Sequence, residues 1–274
     1  MKNNNQFSHA SFGVKMKSKV ILTTMILQMK NSFQRSMFRF CLIANPIANT
    51  ILIYYMFQNS GKENFISYVI MGAGLMGLWS CICFSSAGDI NRERWSGTLS
   101  IIYTAPADFR LIIWGKILGN TVLALFTLFI SFITAKVLFH ADLSLGHLGY
   151  FIISMSAAIV CFMTISIVIA YILTLSRKTT LYMNCIEIPV TLLSGFVFPI
   201  DLLPKWMLPI SNCLSPTWAV KLIRMSIEGN INRYEYWRTF LVLVIINIIY
   251  LFGISILYKV IDHQVRIRAT LEVS

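Results

Sequence analysis

The chain has 274 residues, 57% of them hydrophobic and 12% charged, whereas a soluble globular domain carries roughly a quarter charged residues. That leaves too little polar surface to cover a water-soluble body, and the mean hydropathy of +0.70 agrees. The net charge of +12 does not require a nucleic-acid partner, because Lys and Arg hold the loops of a membrane chain on the cytoplasmic, anionic side.

The first stretch, 1–18, is polar, and the moderately apolar segment after it is interrupted by Thr23, Thr24, Gln28 and Lys30, which predicts no cleaved leader. Over 18–36 the apolar residues Leu22, Met25, Ile26, Met29 and Phe33 recur at three- and four-residue steps, with Thr23, Lys30, Asn31, Gln34 and Arg35 opposite. That pattern predicts an amphipathic helix lying in the membrane interface. Six apolar segments follow, at 37–57, 65–88, 111–139, 148–175, 181–198 and 239–259. Each is expected to cross a hydrocarbon core of about 30 Å, which takes about 20 helical residues. Asn45 and Pro46 interrupt the first, while Gly72, Gly74 and Gly77 in the second permit close helix contact.

An even number of crossings puts both ends of the chain on one side, and the basic residues say which. Lys2, Lys15, Lys17, Lys19, Lys30 and Arg35 precede the first span and Arg39 lies in its first turn; Arg92, Arg94, Arg110, Lys116, Arg177, Lys178, Lys259, Arg266 and Arg268 fall on the same side. The opposite short loops hold only Lys62 and Lys136. Both termini are therefore expected in the cytoplasm. The segment 200–238 resists this pattern, since it should face outward yet carries Lys205, Lys221, Arg224, Arg233 and Arg238. Pro199, Pro204, Pro209 and Pro216 divide it into pieces too short to span, which predicts an outer re-entrant helical hairpin over about 199–230.

Catalytic signatures are missing from the sequence. No Gly-x-x-x-x-Gly-Lys-Ser/Thr loop is present, and Gly115-Lys116 lacks both the upstream glycine and the following hydroxyl. No His-Glu-x-x-His occurs, and His9, His140, His147 and His263 all lie outside the span centres. Ser194 has no intramembrane His to act as its base. Of the six cysteines, Cys81 and Cys83 lie two apart with no second pair elsewhere, so no metal site and no bound cofactor are expected. Glu187 stands alone as an acidic residue clearly inside a predicted span; it either lines a pathway or pairs structurally near the inner third. Lys116, at the start of the third span, is expected to snorkel to the cytoplasmic interface.

Between the second and third spans runs Asp89-Ile-Asn-Arg-Glu-Arg-Trp-Ser-Gly-Thr-Leu-Ser-Ile-Ile-Tyr-Thr-Ala-Pro106, then Arg110 and Trp114-Gly-Lys-Ile-Leu-Gly119. It reads as a short cytoplasmic helix with charged, aromatic and apolar surface. This stretch resembles the type-2 ABC exporter permeases. Arg92, Glu93, Arg94, Gly97, Thr98, Leu99, Thr104, Pro106, Gly115 and Lys116 match the family pattern in order, with Ser100 where the family often has Glu. A second match, Ser194-Gly-Phe-Val-Phe-Pro-Ile-Asp-Leu-Leu-Pro204-Lys-Trp206 followed by Ser215-Pro-Thr217 and Arg224, looks like the family's outer re-entrant segment.

The resemblance implies an all-α integral membrane protein of the cytoplasmic membrane. It would comprise a tail and interfacial helix over 1–36, a six-span domain over 37–259 and a cytoplasmic tail over 260–274. Residues 91–106 would form a coupling helix seated in a separate cytoplasmic ABC ATPase, two copies of which would hold the ATP and Mg. Arg92, Glu93 and Arg94 would set register there, with Trp95 and Leu99 as apolar anchors beside Gly97, Thr98 and Pro106. A second permease copy, identical or closely related, would complete the pathway along the second and fifth spans. Phe196, Phe198 and Pro199 would form an outer gate, or pack in the core. The implied activity is export of an amphipathic drug, antimicrobial peptide or lipid-like molecule. The alternatives are lipid-linked polysaccharide export by the same family, and a non-ABC secondary transporter or accessory membrane subunit.

Overall fold

The computed structural model describes the backbone of residues 3–58, 65–98, 101–102, 108–139, 147–175, 179–227 and 231–268, without the side chains of 3–15, 65–69, 84–87, 90–91, 94, 174–175, 179–180, 184, 201 and 260–268. The elements are α1 (Asn3–Gln34), α2 (Ser36–Phe57), α3 (Phe65–Trp95), α4 (Phe109–Phe139), α5 (Leu148–Leu175), α6 (Thr179–Leu193), a 3-10 turn (Ile200–Leu202), α7 (Leu208–Cys213), α8 (Ser215–Ile227) and α9 (Arg233–Arg268). No strand occurs among the described residues. An apolar chain must satisfy its backbone groups internally when no water is at hand, and helices do so within one segment.

Among the described residues, four helices are long and apolar enough to cross a membrane, over Ser36–Phe57, Phe109–Phe139, Leu148–Leu173 and Arg233–Lys259. Two further apolar stretches, Ile70–Cys83 in α3 and Leu181–Leu193 in α6, are shorter. The segment 181–198, expected to be a full span, is helical only to Leu193. Gly195 follows at φ +77°, a left-handed conformation that ends the helix, and the 15 residues of α6 reach about 22 Å at the helical rise.

α3 runs through the middle of the bundle, with Leu75, Leu78, Trp79, Cys81 and Ile82 all buried. Two of its glycines meet other helices of the same chain. A side chain at Gly74 would press on Leu128 of α4, and one at Gly77 would meet Thr127 of α4 and Pro46 of α2. α4 makes a second close crossing through Gly115 and Gly119, one helical turn apart. A Cβ there would lie 2.8 Å from the Ile21 carbonyl and 2.6 Å from the Met25 carbonyl of α1, which is small-residue packing of the membrane type.

Contacts between helices define the two ends of the bundle. At one end Arg35 meets Asp89, and the Arg110 guanidinium lies 3.7 Å over the Tyr258 ring. At the other, Tyr54 stacks on Phe139 and the Tyr236 hydroxyl donates to the Tyr150 carbonyl at 3.1 Å while sharing a 2.9 Å hydrogen bond with Ser154. The divided segment between α6 and α9 sits at this second end as short helices, and the Ser211 hydroxyl ties α7 to the Leu193 carbonyl at 2.7 Å.

α1 differs in orientation from a simple apolar-inward helix. Leu22, Ile26 and Phe33 of its apolar stripe point away from the bundle and are exposed. The face turned to the protein instead carries Gln28 and Ser32, both buried. Met29 of the same stripe packs on the core, and Gln28 and Ser32 tie α1 to the bundle by hydrogen bonds.

Candidate functional site

Polar side chains converge at the first end on Asp89, which is 3% exposed. Its position near the end of α3 lets it reach the break between α1 and α2, where Arg35 places its Nη1 2.6 Å from Asp89 Oδ1. One turn further along α3, Arg92 Nη2 approaches the same oxygen at 2.7 Å. The other carboxylate oxygen accepts from Gln28 of α1 and, at 3.0 Å, from Asn120 Nδ2 of α4. Ser32 closes the ring by donating to Asn120 Oδ1 at 2.7 Å. Burial lowers the pKa of Arg35 from the ordinary guanidinium value and the adjacent Asp89 charge raises it; the guanidinium keeps its proton.

A second ion pair lies one turn beyond, between Glu93 of α3 and Lys116 of α4. Lys116, expected to snorkel, pairs with a carboxylate there. The two acidic residues thus fasten the end of α3 to α1, α2 and α4 at once. Ionised donors and acceptors make the stronger kind of hydrogen bond, and half-satisfied buried charges are costly, so the junction is held rigidly.

Past this junction α3 ends. Arg92, Glu93, Arg94 and Trp95 occupy its last turn, so these four belong to a continuation of the long helix. Gly97 then takes φ +68°, a conformation that glycine adopts without a Cβ penalty. Hydroxyls satisfy the last carbonyls of α3: Ser96 donates to Arg92 O at 2.9 Å and Thr98 to Glu93 O at 3.3 Å. Thr98, Ile101 and Ile102 are helical again. Leu99 and Pro106, and the Arg94 side chain, lie outside the described residues. Trp95 is 73% exposed at the tip of this braced stem.

The residues expected at an outer gate are elsewhere, at the second end. Phe196 is fully buried, stacked against Trp79 of α3 and tilted against Phe162 of α5, and its carbonyl accepts from Arg224 Nη2 at 3.2 Å. It packs in the core of this chain. Phe198 and Pro199 are partly buried beside it. Glu187, 8% exposed, accepts a 2.6 Å hydrogen bond from Ser80 of α3. The structure does not bring Glu187 together with the Asp89 group.

Sequence reasoning finds Asp89 at the start of the motif but gives it no role, and it misses Gln28, Ser32 and Asn120 as its partners. A signal is present: Gln28 and Ser32, like Lys116 and Asn120, are polar pairs four residues apart inside apolar stretches, and such spacing puts each pair on one helix face.

The described residues form an all-helical bundle with several apolar helices and an ion-paired elbow at one end. The ABC-2 type transporter family model matches residues 19–227, from within α1 to the end of α8, and the chain belongs to that family. Permeases of this family work with an ATPase subunit. No curated protein matches the chain.

Proposed function

We propose that the chain is the membrane-spanning subunit of an ATP-driven exporter, with six crossings, both termini in the cytoplasm and its ATPase on a separate polypeptide. The tip after the α3 elbow, from Trp95 through Leu99 toward Pro106, seats in a groove of that ATPase. Two ATPases closing on ATP push two such tips together, and the spans follow as rigid bodies. Exposure of Trp95 at the end of a stem tied back by Asp89 and Glu93 is the observation that supports this reading. A large exposed aromatic ring is the kind of residue that anchors an interface, and the ion pairs behind it let force pass into α1, α2 and α4.

A second permease copy completes the pathway. α6 exposes Leu181, Ile188 and Leu192 and offers the surface for it, whereas the described apolar stretch of α3 is largely buried in its own chain. The outer hairpin is assigned to the segment between α6 and α9. An interior poor in ionisable groups suits an amphipathic drug, antimicrobial peptide or lipid-like substrate.

The test is recovery of the ATPase. The tagged permease extracted in mild detergent should carry a stoichiometric phosphate-loop ATPase, and Trp95→Ala should weaken that association by about 2 kcal/mol, roughly thirtyfold, without changing the elution volume of the permease. Undiminished recovery, or no ATPase at all, would remove the coupling assignment. For Glu187, substitution by Gln preserves an acceptor for Ser80, so the melting of the purified chain should change by less than about 1 kcal/mol. A transport rate that falls while melting holds would support a pathway role, and an unchanged rate would leave Glu187 purely structural.

A further inference from the structure

The cations between α6 and the middle of α9 contradict the charge pattern of the rest of the chain, and two of them have an intramolecular use. Arg224 donates to the Phe196 carbonyl, and Lys221 Nζ lies 3.3 Å from Glu235. Arg233 and Arg238 are exposed and make no ion pair among the described residues. Both line a groove of about 590 Å³ together with Tyr234, Trp237, Leu241 and Val242. This groove lies on α9, beyond the residues that match the family model.

The groove is built as two parallel rows at helical spacing. Arg233, Trp237 and Leu241 form one, and Tyr234, Arg238 and Val242 the other, so chemistry changes along the axis. Two guanidinium groups and two aromatic rings occupy the first turns, and aliphatic side chains follow within about 12 Å of axial rise. The apolar row continues through Ile245 and Ile248, both exposed. Guanidinium forks match phosphate oxygens, Trp and Tyr settle at the headgroup level of a bilayer, and exposed aliphatic residues below them require acyl chains.

We propose that this groove holds an anionic phospholipid, its phosphate between Arg233 and Arg238, its glycerol region against Tyr234 and Trp237, and an acyl chain along Leu241 and Val242. Charge complementarity and the polar-to-apolar order favour a lipid over a soluble phosphate, which would leave the lower half of the groove uncovered. Glu235, the adjacent acidic side chain on α9, is engaged by Lys221 and does not neutralise the pair. The assignment needs only the membrane location, so its failure would leave the ATPase-coupling reading untouched.

The experiment reconstitutes the full chain in vesicles of phosphatidylcholine with a minor fraction of phosphatidylglycerol, extracts it with polymer, and quantifies the co-extracted lipid by mass spectrometry. Wild type should retain phosphatidylglycerol above its bulk fraction, each arginine contributing about a fivefold preference. The Arg233→Gln/Arg238→Gln variant should fall to the bulk ratio, and Lys205→Gln, which removes a charge from the same segment outside the groove, should not. No enrichment in wild type, or equal loss in Lys205→Gln, overturns the site. So does a double variant that splits a dimer of the chain with the lipid ratio unmoved, because a second copy would then cover the groove. If the double variant fails to fold, brominated lipids decide: the part of the emission that Trp237→Phe removes should be quenched more by brominated phosphatidylglycerol than by brominated phosphatidylcholine, and equal quenching overturns the proposal.

Discussion

Asp89→Ala is expected to destabilise the purified protein by about 3 kcal/mol, toward the lower end of the cost of breaking a buried ion pair because Arg35 keeps some solvent contact. The carboxylate is the common acceptor for Arg35, Arg92, Gln28 and Asn120, which come from α1, the α1–α2 break, α3 itself and α4. Its removal leaves Arg35 without its counter-ion and the Asn120 amide short of an acceptor, while Gln28 keeps Ser32 and Asn120. Asp89→Asn keeps an oxygen for the amide donors and loses only the charge, so it should fall between wild type and Asp89→Ala. Adding Arg35→Met to Asp89→Ala removes the stranded cation and should recover part of the loss, since a buried pair replaced by apolar groups is often neutral. Thermal unfolding in detergent measures all three; an Asp89→Ala melt within about 1 kcal/mol of wild type would show that the network contributes little.

The second large effect is expected at Gly72. A side chain there collides with the Phe196 carbonyl oxygen, and Arg224 Nη2 stands 4.0 Å away, so the clash is with backbone that cannot swing aside. Gly72→Val should cost about 3 kcal/mol, the upper range of overpacking, and should displace the turn after α6 together with Phe196. Gly88→Ala in the same helix is the control, because nothing lies within 4 Å of its added Cβ. It should be neutral or stabilising by up to about 1 kcal/mol, the ordinary difference between Ala and Gly in a helix. Equal melting of the two variants would contradict the packing described for α3.

Periodicity and run length read out the helices well where an element is long and uniformly apolar. α4 and α5 need no tertiary information, because a run of that length has few alternatives in a bilayer. α6 is overextended by the same reading for the opposite reason. Phe196, Val197 and Phe198 continue the apolar run, and only the backbone conformation at Gly195 reveals that the helix has stopped. α1 shows a different limit: its stripe is visible, but whether lipid or protein covers an apolar face cannot be read from one chain's periodicity. The site divides the same way. The motif from Arg92 to Thr98 stands in the sequence, whereas the pairing of Glu93 with Lys116 and of Asp89 with Arg35 joins residues 23 and 54 positions apart, which local spacing does not encode.

The permease account depends most on where the α3 tip lies. Trp95→Cys in an otherwise cysteine-free chain, in sealed inside-out membrane vesicles with the ATPase retained or stripped, can be challenged with a membrane-impermeant maleimide and with a short bifunctional cross-linker. The account predicts labelling of the introduced thiol from the cytoplasmic face, protection from the label when ATPase is present, and a cross-linked product containing one permease and one ATPase. Labelling only after the vesicles are inverted or lysed, or a thiol equally reactive with and without ATPase and giving no joint product, would contradict it.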